Sequence, residues 1–217
     1  MTRSAWLDSP LKRGADGLIA IAAIVVATPV LAVTAIAVRL TLGSPVLFCQ
    51  QRAGRAGRPI DVVKFRSMTD ARGPDGDLLT DEQRLTPFGS MLRSSSIDEL
   101  PQLFSVLRGD MSLIGPRPLP LTYVERYDDE QRRRLDARPG ITGWAQVNGR
   151  NSLDWATKLA LDVWYVEHAS PRVDATIIAR TVRAVFSRSG VAATDHATMH
   201  EFLGTGTGTP VDTTDGR

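Results

Sequence analysis

The chain has 217 residues, of which 42% are hydrophobic, and this is enough to build one domain with a buried core. Its 26 Lys and Arg residues nearly balance 24 Asp and Glu residues, and the net charge of +2 argues against a nucleic-acid-binding protein. The single cysteine, Cys49, excludes an internal disulfide framework and a cysteine-rich zinc site.

The N-terminal region contains a long apolar stretch. Gly17 to Val38 carries no charged residue, and its length approaches the about 20 residues that span a bilayer as a straight helix. Pro29, preceded by Thr28, lies close to the middle of the stretch. A proline at this place removes a backbone hydrogen bond and kinks a helix.

Basic residues flank this stretch on both sides, at positions 3, 12 and 13 before it and at positions 39, 52, 55 and 58 after it. Because positive charge favours the cytoplasmic side, both ends are expected there. We therefore predict a re-entrant membrane helix that is broken at Thr28-Pro29 and returns to the side from which it entered. The alternatives are a straight transmembrane anchor, a buried helix, and a signal peptide cleaved near Ala35-Ile36-Ala37, although the apolar region of a signal peptide is only about 7–15 residues long.

The elements after this stretch predict an α+β domain in which helices dominate. Residues 45–50 and 60–65 have the pattern of a small β-hairpin, and the basic, Gly-rich turn between them either holds phosphate or anionic lipid headgroups or is a solvated loop. Apolar spacing predicts amphipathic surface helices at 86–93, 97–108, 152–166 and 173–186, and charge predicts a solvated helix at 123–138.

Two adjacent acids, Asp98 and Glu99, open one of these helices. Ser96 followed by Glu99 fits a capping box, whereas Pro101 favours a helix that begins slightly later. In both cases the carboxylates lie at a helix N-terminus, where free N–H groups and the helix dipole keep them ionised, ready to attack an electrophile or to hold a hard cation. Acids at helix starts are more often simple N-caps, and the pair by itself favours that interpretation.

Other segments carry residues that suit phosphate binding. Arg117 lies between two prolines, so a stiff backbone holds a guanidinium whose planar fork matches phosphate oxygens, unless the segment is only a structural turn. The Gly-rich run 139–150 carries Gln146, Asn148 and Arg150 and suits a nucleotide or a sugar diphosphate, although it also fits a plain turn-strand-turn. Further cations lie at the end of the hairpin and before the acidic pair, at Lys64, Arg66 and Arg93.

Together the motifs resemble those of the bacterial sugar transferases, the monotopic polyprenyl-phosphate phosphoglycosyl transferases. The resemblance runs from about residue 12 to residue 190, with a weaker likeness at 196–204. It rests on these segments in this order: Gly43–Phe48, Lys64–Met68, Ser96–Leu103, Gly109–Pro118 and Arg138–Arg150. Each segment by itself is weak support, but the ordered set is highly specific.

The resemblance implies an enzyme that moves a phospho-sugar from a UDP-sugar to a polyprenyl phosphate such as undecaprenyl phosphate, with Mg²⁺ as cofactor and with release of UMP. Asp98 would be the nucleophile that holds a covalent phospho-sugar, and Glu99 would help to hold the metal, with Asp98 as the other candidate ligand. Arg150 would contact substrate phosphate and Arg117 would be a second contact. The remaining candidates for substrate binding are Lys64, Arg66, Arg93, Gln146 and Asn148.

The resemblance also implies a minimal catalytic form at the cytoplasmic face of the bacterial inner membrane. Residues 1–40 would be the re-entrant anchor, 41–190 the catalytic domain and 191–217 a largely disordered tail. Membrane lipids and downstream glycosyltransferases would be partners in the assembly of exopolysaccharide, O-antigen or glycoprotein. Two alternatives remain, a one-step transferase without a covalent intermediate and a catalytically inactive membrane scaffold, although a scaffold would not need the acids and arginines named above.

Overall fold

The computed structural model describes residues 2–149, 153–186 and 201–204. Helices dominate it, which confirms the predicted α+β class. The α-helices are α1 (Pro10–Thr41), α2 (Asp81–Arg84), α3 (Pro87–Ser94), α4 (Gln102–Arg108), α5 (Asp129–Arg132), α6 (Trp144–Val147), α7 (Trp155–His168) and α8 (Pro171–Phe186). The strands are β1 (Leu47–Ala53), β2 (Pro59–Phe65), β3 (Ser112–Ile114) and β4 (Gly140–Thr142).

Helix α1 contains the apolar stretch. Ser9 caps it by accepting a hydrogen bond from the Leu11 N–H (3.2 Å), and Pro10 stands in the first turn, where its missing N–H costs nothing. The helix is long and apolar enough to cross a membrane, and most of its apolar side chains are exposed, with Val26 at 78% and Leu40 at 80%. Such exposure is expensive in water and normal in contact with lipid.

The helix continues through Pro29 instead of ending there, so the predicted break at Thr28-Pro29 is not an interruption of the helix. The Thr28 hydroxyl donates a hydrogen bond to the Ile24 carbonyl oxygen (2.8 Å). This bond lies in the turn in which Pro29 cannot donate a backbone hydrogen bond. The re-entrant path remains a prediction, because a helix of this length and composition also suits a straight span.

The β-hairpin and α4 form the surface on which α1 packs. β1 and β2 pair antiparallel, with Leu47 opposite Phe65 and Ala53 opposite Pro59, as the strand pattern predicts. Ala20 of α1 shares a buried cluster with residues of β2 and α4, and Val38 shares another with Phe65 and α3. The apolar helix is therefore attached to the domain along much of its length.

Glycines bring the segments around β3 and β4 into close contact. A Cβ atom on Gly115 would lie 2.2 Å from the Arg138 carbonyl oxygen, and one on Gly140 would lie 2.1 Å from the Gly115 amide nitrogen. This space lets the two strands pair in parallel, with the Gly115 N–H donating to the Thr142 carbonyl oxygen (3.0 Å). At Gly115 and Gly140 the missing Cβ atom therefore allows the backbones to pack closely.

The charged segment 123–138 is not the single solvated helix that its composition predicts. It contains the end of a 3₁₀ turn (Leu121–Arg126), then α5, then a second 3₁₀ turn (Arg133–Asp136). Arg134 in the second turn is 2% exposed and forms an ion pair with Asp162 of α7 (2.8 Å). The prediction of a solvated face is therefore wrong at Arg134.

Residues 201–204 pack on the domain, so the expected disorder of the tail does not apply to them. Phe202 is 2% exposed and lies among the rings of Tyr123, Tyr127 and Trp155. Its N–H donates to the Tyr123 hydroxyl (3.1 Å). The rest of the predicted tail, including His196 and His200, lies outside the described residues.

Candidate active site

Asp98 and Glu99 lie in a tight turn between α3 and α4. Ser96 adopts a left-handed backbone conformation (φ 57°), and Ile97–Glu99 form one 3₁₀ turn. Ser96 makes no side-chain cap, so the predicted capping box is wrong, and the later helix start that Pro101 favours is correct. A left-handed residue other than glycine costs about 1–3 kcal/mol, and here it redirects the chain directly before the two acids.

Glu99 is held by cations from two distant segments. The Lys64 ammonium at the end of β2 and the Arg117 guanidinium after β3 both contact Glu99 Oε1, at 2.6 and 2.8 Å. Burial pushes the pKa of Glu99 upward, but the charges and hydrogen bonds of Arg117 and Lys64 together outweigh burial and lower it to about 2. Glu99 is therefore ionised at every physiological pH.

Asp98 has a different environment. It is 6% exposed, and among the described residues no hydrogen-bond donor contacts its carboxylate. Burial, and then the negative charge of Glu99, raise the pKa of Asp98 to about 6, although Lys64, Arg93 and Arg117 act in the opposite direction. The helix N-terminus does not keep this carboxylate at an ordinary pKa, contrary to the expectation that it would be firmly ionised.

The predicted cations separate into two groups. Lys64, Arg93 and Arg117 lie close enough for their charges to act on Asp98, and the Arg93 Nε donates to the Ser67 hydroxyl (3.0 Å). Arg66 instead has a structural role, because its guanidinium donates to the carbonyl oxygens of Ser44 and Met68 (3.0 Å each) and to Asp70 (2.6 Å).

The predicted polar residues of the Gly-rich run are hydrogen-bonded away from the dyad. The Gln146 amide donates to the Ile141 carbonyl oxygen (2.9 Å), and its own oxygen is buried without a partner among the described residues. The Asn148 amide donates to the Trp144 carbonyl oxygen (2.8 Å). Arg180 of α8 in turn donates to the Asn148 side-chain oxygen (2.7 Å). Arg150 lies outside the described residues.

Two further cations near Arg117 were not among the sequence candidates for this site. Burial and the nearby charge of Arg117 lower the pKa of Arg52 and of Lys158. Arg52 is in β1 and Lys158 is in α7, so no local pattern connects them. Only the tertiary fold brings both toward Arg117, and together they extend the positive region beyond Glu99.

The dyad fits a magnesium ion of the kind that binds together with substrate. The described residues contain no group of three or more His, Cys, Asp or Glu side chains that could hold a metal ion alone. Mg²⁺ is commonly bound by one or two carboxylates with water and substrate phosphates completing the shell. The Asp98 carboxylate receives no hydrogen bond from the described part of the chain, and both cations on Glu99 contact the same oxygen, Oε1, so oxygen atoms of both acids can bind the ion.

The arrangement combines a carboxylate able to attack with cations able to hold a phosphate group. Comparison with known proteins identifies the family to which the chain belongs. Residues 7–188 match the family described as bacterial sugar transferase, and the chain belongs to this family.

Curated relatives cover most of the chain. It is 48% identical over 196 residues to the uncharacterized sugar transferase EpsL of Bacillus subtilis, which covers 90% of this chain and 97% of that protein. It is 39% identical to the UDP-N-acetylgalactosamine-undecaprenyl-phosphate N-acetylgalactosaminephosphotransferase of Aeromonas hydrophila, over 85% of this chain and 46% of that protein. It is 36% identical to the undecaprenyl-phosphate galactose phosphotransferase of Salmonella typhimurium, over 83% of this chain and 41% of that protein. The chain thus spans nearly all of EpsL and less than half of the two longer relatives.

Proposed function

We propose that this protein is a phosphoglycosyl transferase that moves a sugar 1-phosphate from a UDP-sugar to undecaprenyl phosphate and releases UMP. The observation that carries the proposal is the asymmetric dyad: Asp98 is buried, with no donor on its carboxylate from the residues that the structure describes, and the adjacent Glu99 is fixed by two cations. The names of the Aeromonas and Salmonella relatives, which include undecaprenyl phosphate and a sugar phosphotransferase activity, support the substrate class.

The reaction proceeds in two displacements at one phosphorus atom. In the first, an Asp98 oxygen bonds to the sugar-bearing phosphorus, the bond from that phosphorus to the bridging oxygen breaks, and UMP leaves with the oxygen and its electron pair. In the second, a phosphate oxygen of undecaprenyl phosphate bonds to the same phosphorus and the bond to Asp98 breaks. The product is a lipid-linked diphospho-sugar, and the free carboxylate is restored.

The side chains around Asp98 have distinct roles in these steps. Above pH 6 the carboxylate of Asp98 is mostly ionised, and because no donor among the described residues contacts it, it remains a good nucleophile. Lys64, Arg93 and Arg117 place positive charge where the diphosphate gathers negative charge. Glu99 and Asp98 would hold Mg²⁺, which supplies Lewis-acid neutralisation of phosphate oxygens when bound.

Helix α1 supports a location of this chemistry at a membrane surface. The acceptor is a very apolar lipid with a charged head, so its phosphate is reached at the membrane surface, and the exposed apolar side chains of α1 suit contact with acyl chains. We propose the cytoplasmic face of the inner membrane and a re-entrant path for α1. Labelling of single cysteines at Arg3 and Arg39 tests the path, and labelling from opposite sides would refute it.

The activity is tested by UMP release from a panel of N-acetylated and neutral UDP-hexoses with Mg²⁺ and undecaprenyl phosphate. Asp98→Asn is expected to abolish release, whereas Asp110→Asn, at an exposed ion pair with Arg108, is a matched control that retains it. Full activity in Asp98→Asn would remove the proposed nucleophile. Failure of every donor would instead favour the inactive scaffold.

Trapping separates the two-step reaction from a one-step transfer. With a UDP-sugar and Mg²⁺ but no lipid acceptor, the protein is expected to gain the mass of one sugar phosphate and to release one equivalent of UMP. Both signals should be absent in Asp98→Asn. Turnover without any trapped adduct or burst of UMP would favour direct transfer between the two substrates.

A further inference from the structure

Behind the dyad, a buried arginine binds the main chain of another arginine. Arg134 is 2% exposed, and its Nη2 atom donates to the carbonyl oxygen of Arg117 (2.7 Å). The same guanidinium donates twice to Asp162 of α7, at 2.8 and 3.0 Å, and once to the Tyr127 hydroxyl (3.2 Å). Asp162 is also 2% exposed.

Stability alone gives a weak reason for such a pair. Desolvation of two charges consumes most of the Coulombic gain in a protein interior, and an apolar pair of the same volume is often as stable. What an arginine adds is a planar fork with donors at fixed angles. Here the fork joins Asp162 to one carbonyl oxygen, which belongs to a residue that contacts the dyad.

The side chain of Arg117 is only partly packed, since it is 45% exposed and its guanidinium ends on Glu99. Backbone hydrogen bonds hold the segment on both sides of Arg117, from the Gly140 N–H to the Pro116 carbonyl oxygen (3.0 Å) and from the Ala53 N–H to the Leu119 carbonyl oxygen (2.9 Å). The bond from Arg134 fixes the carbonyl oxygen of Arg117 itself, between these two attachments.

We infer that Arg134, oriented by Asp162, is a positioning residue that fixes the main chain of Arg117 and so places the Arg117 guanidinium on Glu99. The inference rests on the proposed function for its effect on turnover. Arg134 acts on the dyad through Arg117 and does not need to touch substrate.

The direct test is Arg134→Lys in the full-length protein in nanodiscs. The variant keeps the charge but loses the fork, and kcat for UMP release is expected to fall roughly 10–100-fold, because small misplacement of catalytic groups is costly. The KM for the UDP-sugar should change by less than kcat. Arg133→Lys is the matched control, since Arg133 is the next residue in the turn and pairs with Glu167 of the same helix α7 (2.6 Å). It is expected to retain activity within about twofold.

A double-mutant cycle separates positioning from general structural damage. If Arg134 acts through Arg117, Arg134→Lys should lower kcat by no more than about twofold when it is introduced into the Arg117→Ala variant. Additive losses would overturn the inference. Tyr127→Phe removes one hydroxyl and leaves the ion pair intact, so it keeps the test open if Arg134→Lys fails to fold. The smaller loss of kcat in Tyr127→Phe should also vanish when this change is introduced into the Arg117→Ala variant.

A readout without turnover distinguishes failure of this inference from failure of the proposed function. Side-chain ¹⁵N NMR follows the guanidinium of Arg117, which donates to Glu99 Oε1 (2.8 Å). The Arg117 signals are expected to shift in Arg134→Lys or Tyr127→Phe and to stay unchanged in Arg133→Lys. Unchanged Arg117 signals in both folded test variants would refute the positioning role, whether or not the wild-type protein releases UMP.

Discussion

Replacing Asp98 by asparagine is expected to stabilise the protein at pH 8 while it abolishes UMP release. Burial, and then the charge of Glu99, raise the pKa of Asp98 from its ordinary 3.8 to about 6. This difference corresponds to about 3 kcal/mol of unfavourable free energy in the folded protein once the group is ionised. A neutral amide of the same shape removes that penalty.

The gain should depend on pH in a defined direction. A carboxyl group whose pKa is raised by folding weakens the folded state as pH rises from about 4 to about 6, because the unfolded chain loses its proton first. The stabilisation by Asp98→Asn should therefore be small near pH 4, roughly half complete at pH 5 and full above about pH 7. Only this pH-dependent part reports the charge, since any hydrogen-bond mismatch of the amide is constant.

Glu99→Gln is the matched control with the opposite sign. The pKa of Glu99 is lowered to about 2 because the ion pairs with Arg117 and Lys64 outweigh burial, so its charge stabilises the fold above pH 4.5 and loses that effect only as pH falls toward 2. The amide leaves both cations without their partner. A loss of about 1–3 kcal/mol is expected at pH 8, a range that allows for the partial exposure of the two cations.

Thermal unfolding of both variants in nanodiscs between pH 4 and pH 8 measures these effects. At about 2–4 °C per kcal/mol, the removed charge penalty of Asp98 should raise Tm by roughly 6–12 °C at pH 8, and Glu99→Gln should lower Tm. A difference in Tm between Asp98→Asn and the wild-type protein that is the same at pH 4 and pH 8 would refute the assignment of a raised pKa to Asp98.

Three further predictions concern the rest of the site and the tail. The kcat/KM for UMP release is expected to fall as pH drops through about 6, because Asp98 attacks only when ionised; a profile that stays flat down to pH 5 would contradict this. Lys64→Ala should lower UMP release by roughly tenfold or more. Arg66→Ala should mainly lower the free energy of unfolding, by about 2–4 kcal/mol. Equal losses of activity in Lys64→Ala and Arg66→Ala would contradict the different roles of these two residues. Phe202→Ala should lower the free energy of unfolding by about 3 kcal/mol in a urea titration, and an unchanged midpoint would show that the segment does not pack.

Local sequence signals were sufficient for most secondary structure. Alternating apolar residues predicted the β-hairpin, and helical spacing predicted α3, α7 and α8 to within a few residues. Gly109 ends α4 with a φ of 95°, the left-handed conformation in which glycine commonly ends a helix. These elements depend on contacts within a few residues, so the sequence contains the information directly.

The partners in the site required the tertiary fold. Lys64 and Arg117 are 35 and 18 residues away from Glu99, and no local pattern shows that they meet at one oxygen atom. Arg66 shows the same dependence on the fold: it follows Lys64 by two positions, which is the same face in a strand, but β2 ends at Phe65. Because Arg66 lies beyond the end of β2, its side chain donates to the carbonyl oxygens of Met68 and Ser44 and does not continue the alternation of the strand.

The position of the dyad relative to the proposed membrane surface depends on how α1 holds α4. The Arg13 guanidinium donates to the carbonyl oxygens of Val106 and Leu107, at 2.6 and 2.9 Å, which lie at the C-terminal end of α4. At its other end α4 is preceded directly by the turn that carries Asp98. Ala20 of α1 also packs in the cluster that contains residues of α4, so buried contacts and hydrogen bonds both join α1 to α4. Under the proposed membrane location, the depth of α1 in the lipid sets the distance between Asp98 and the phosphate of a lipid acceptor.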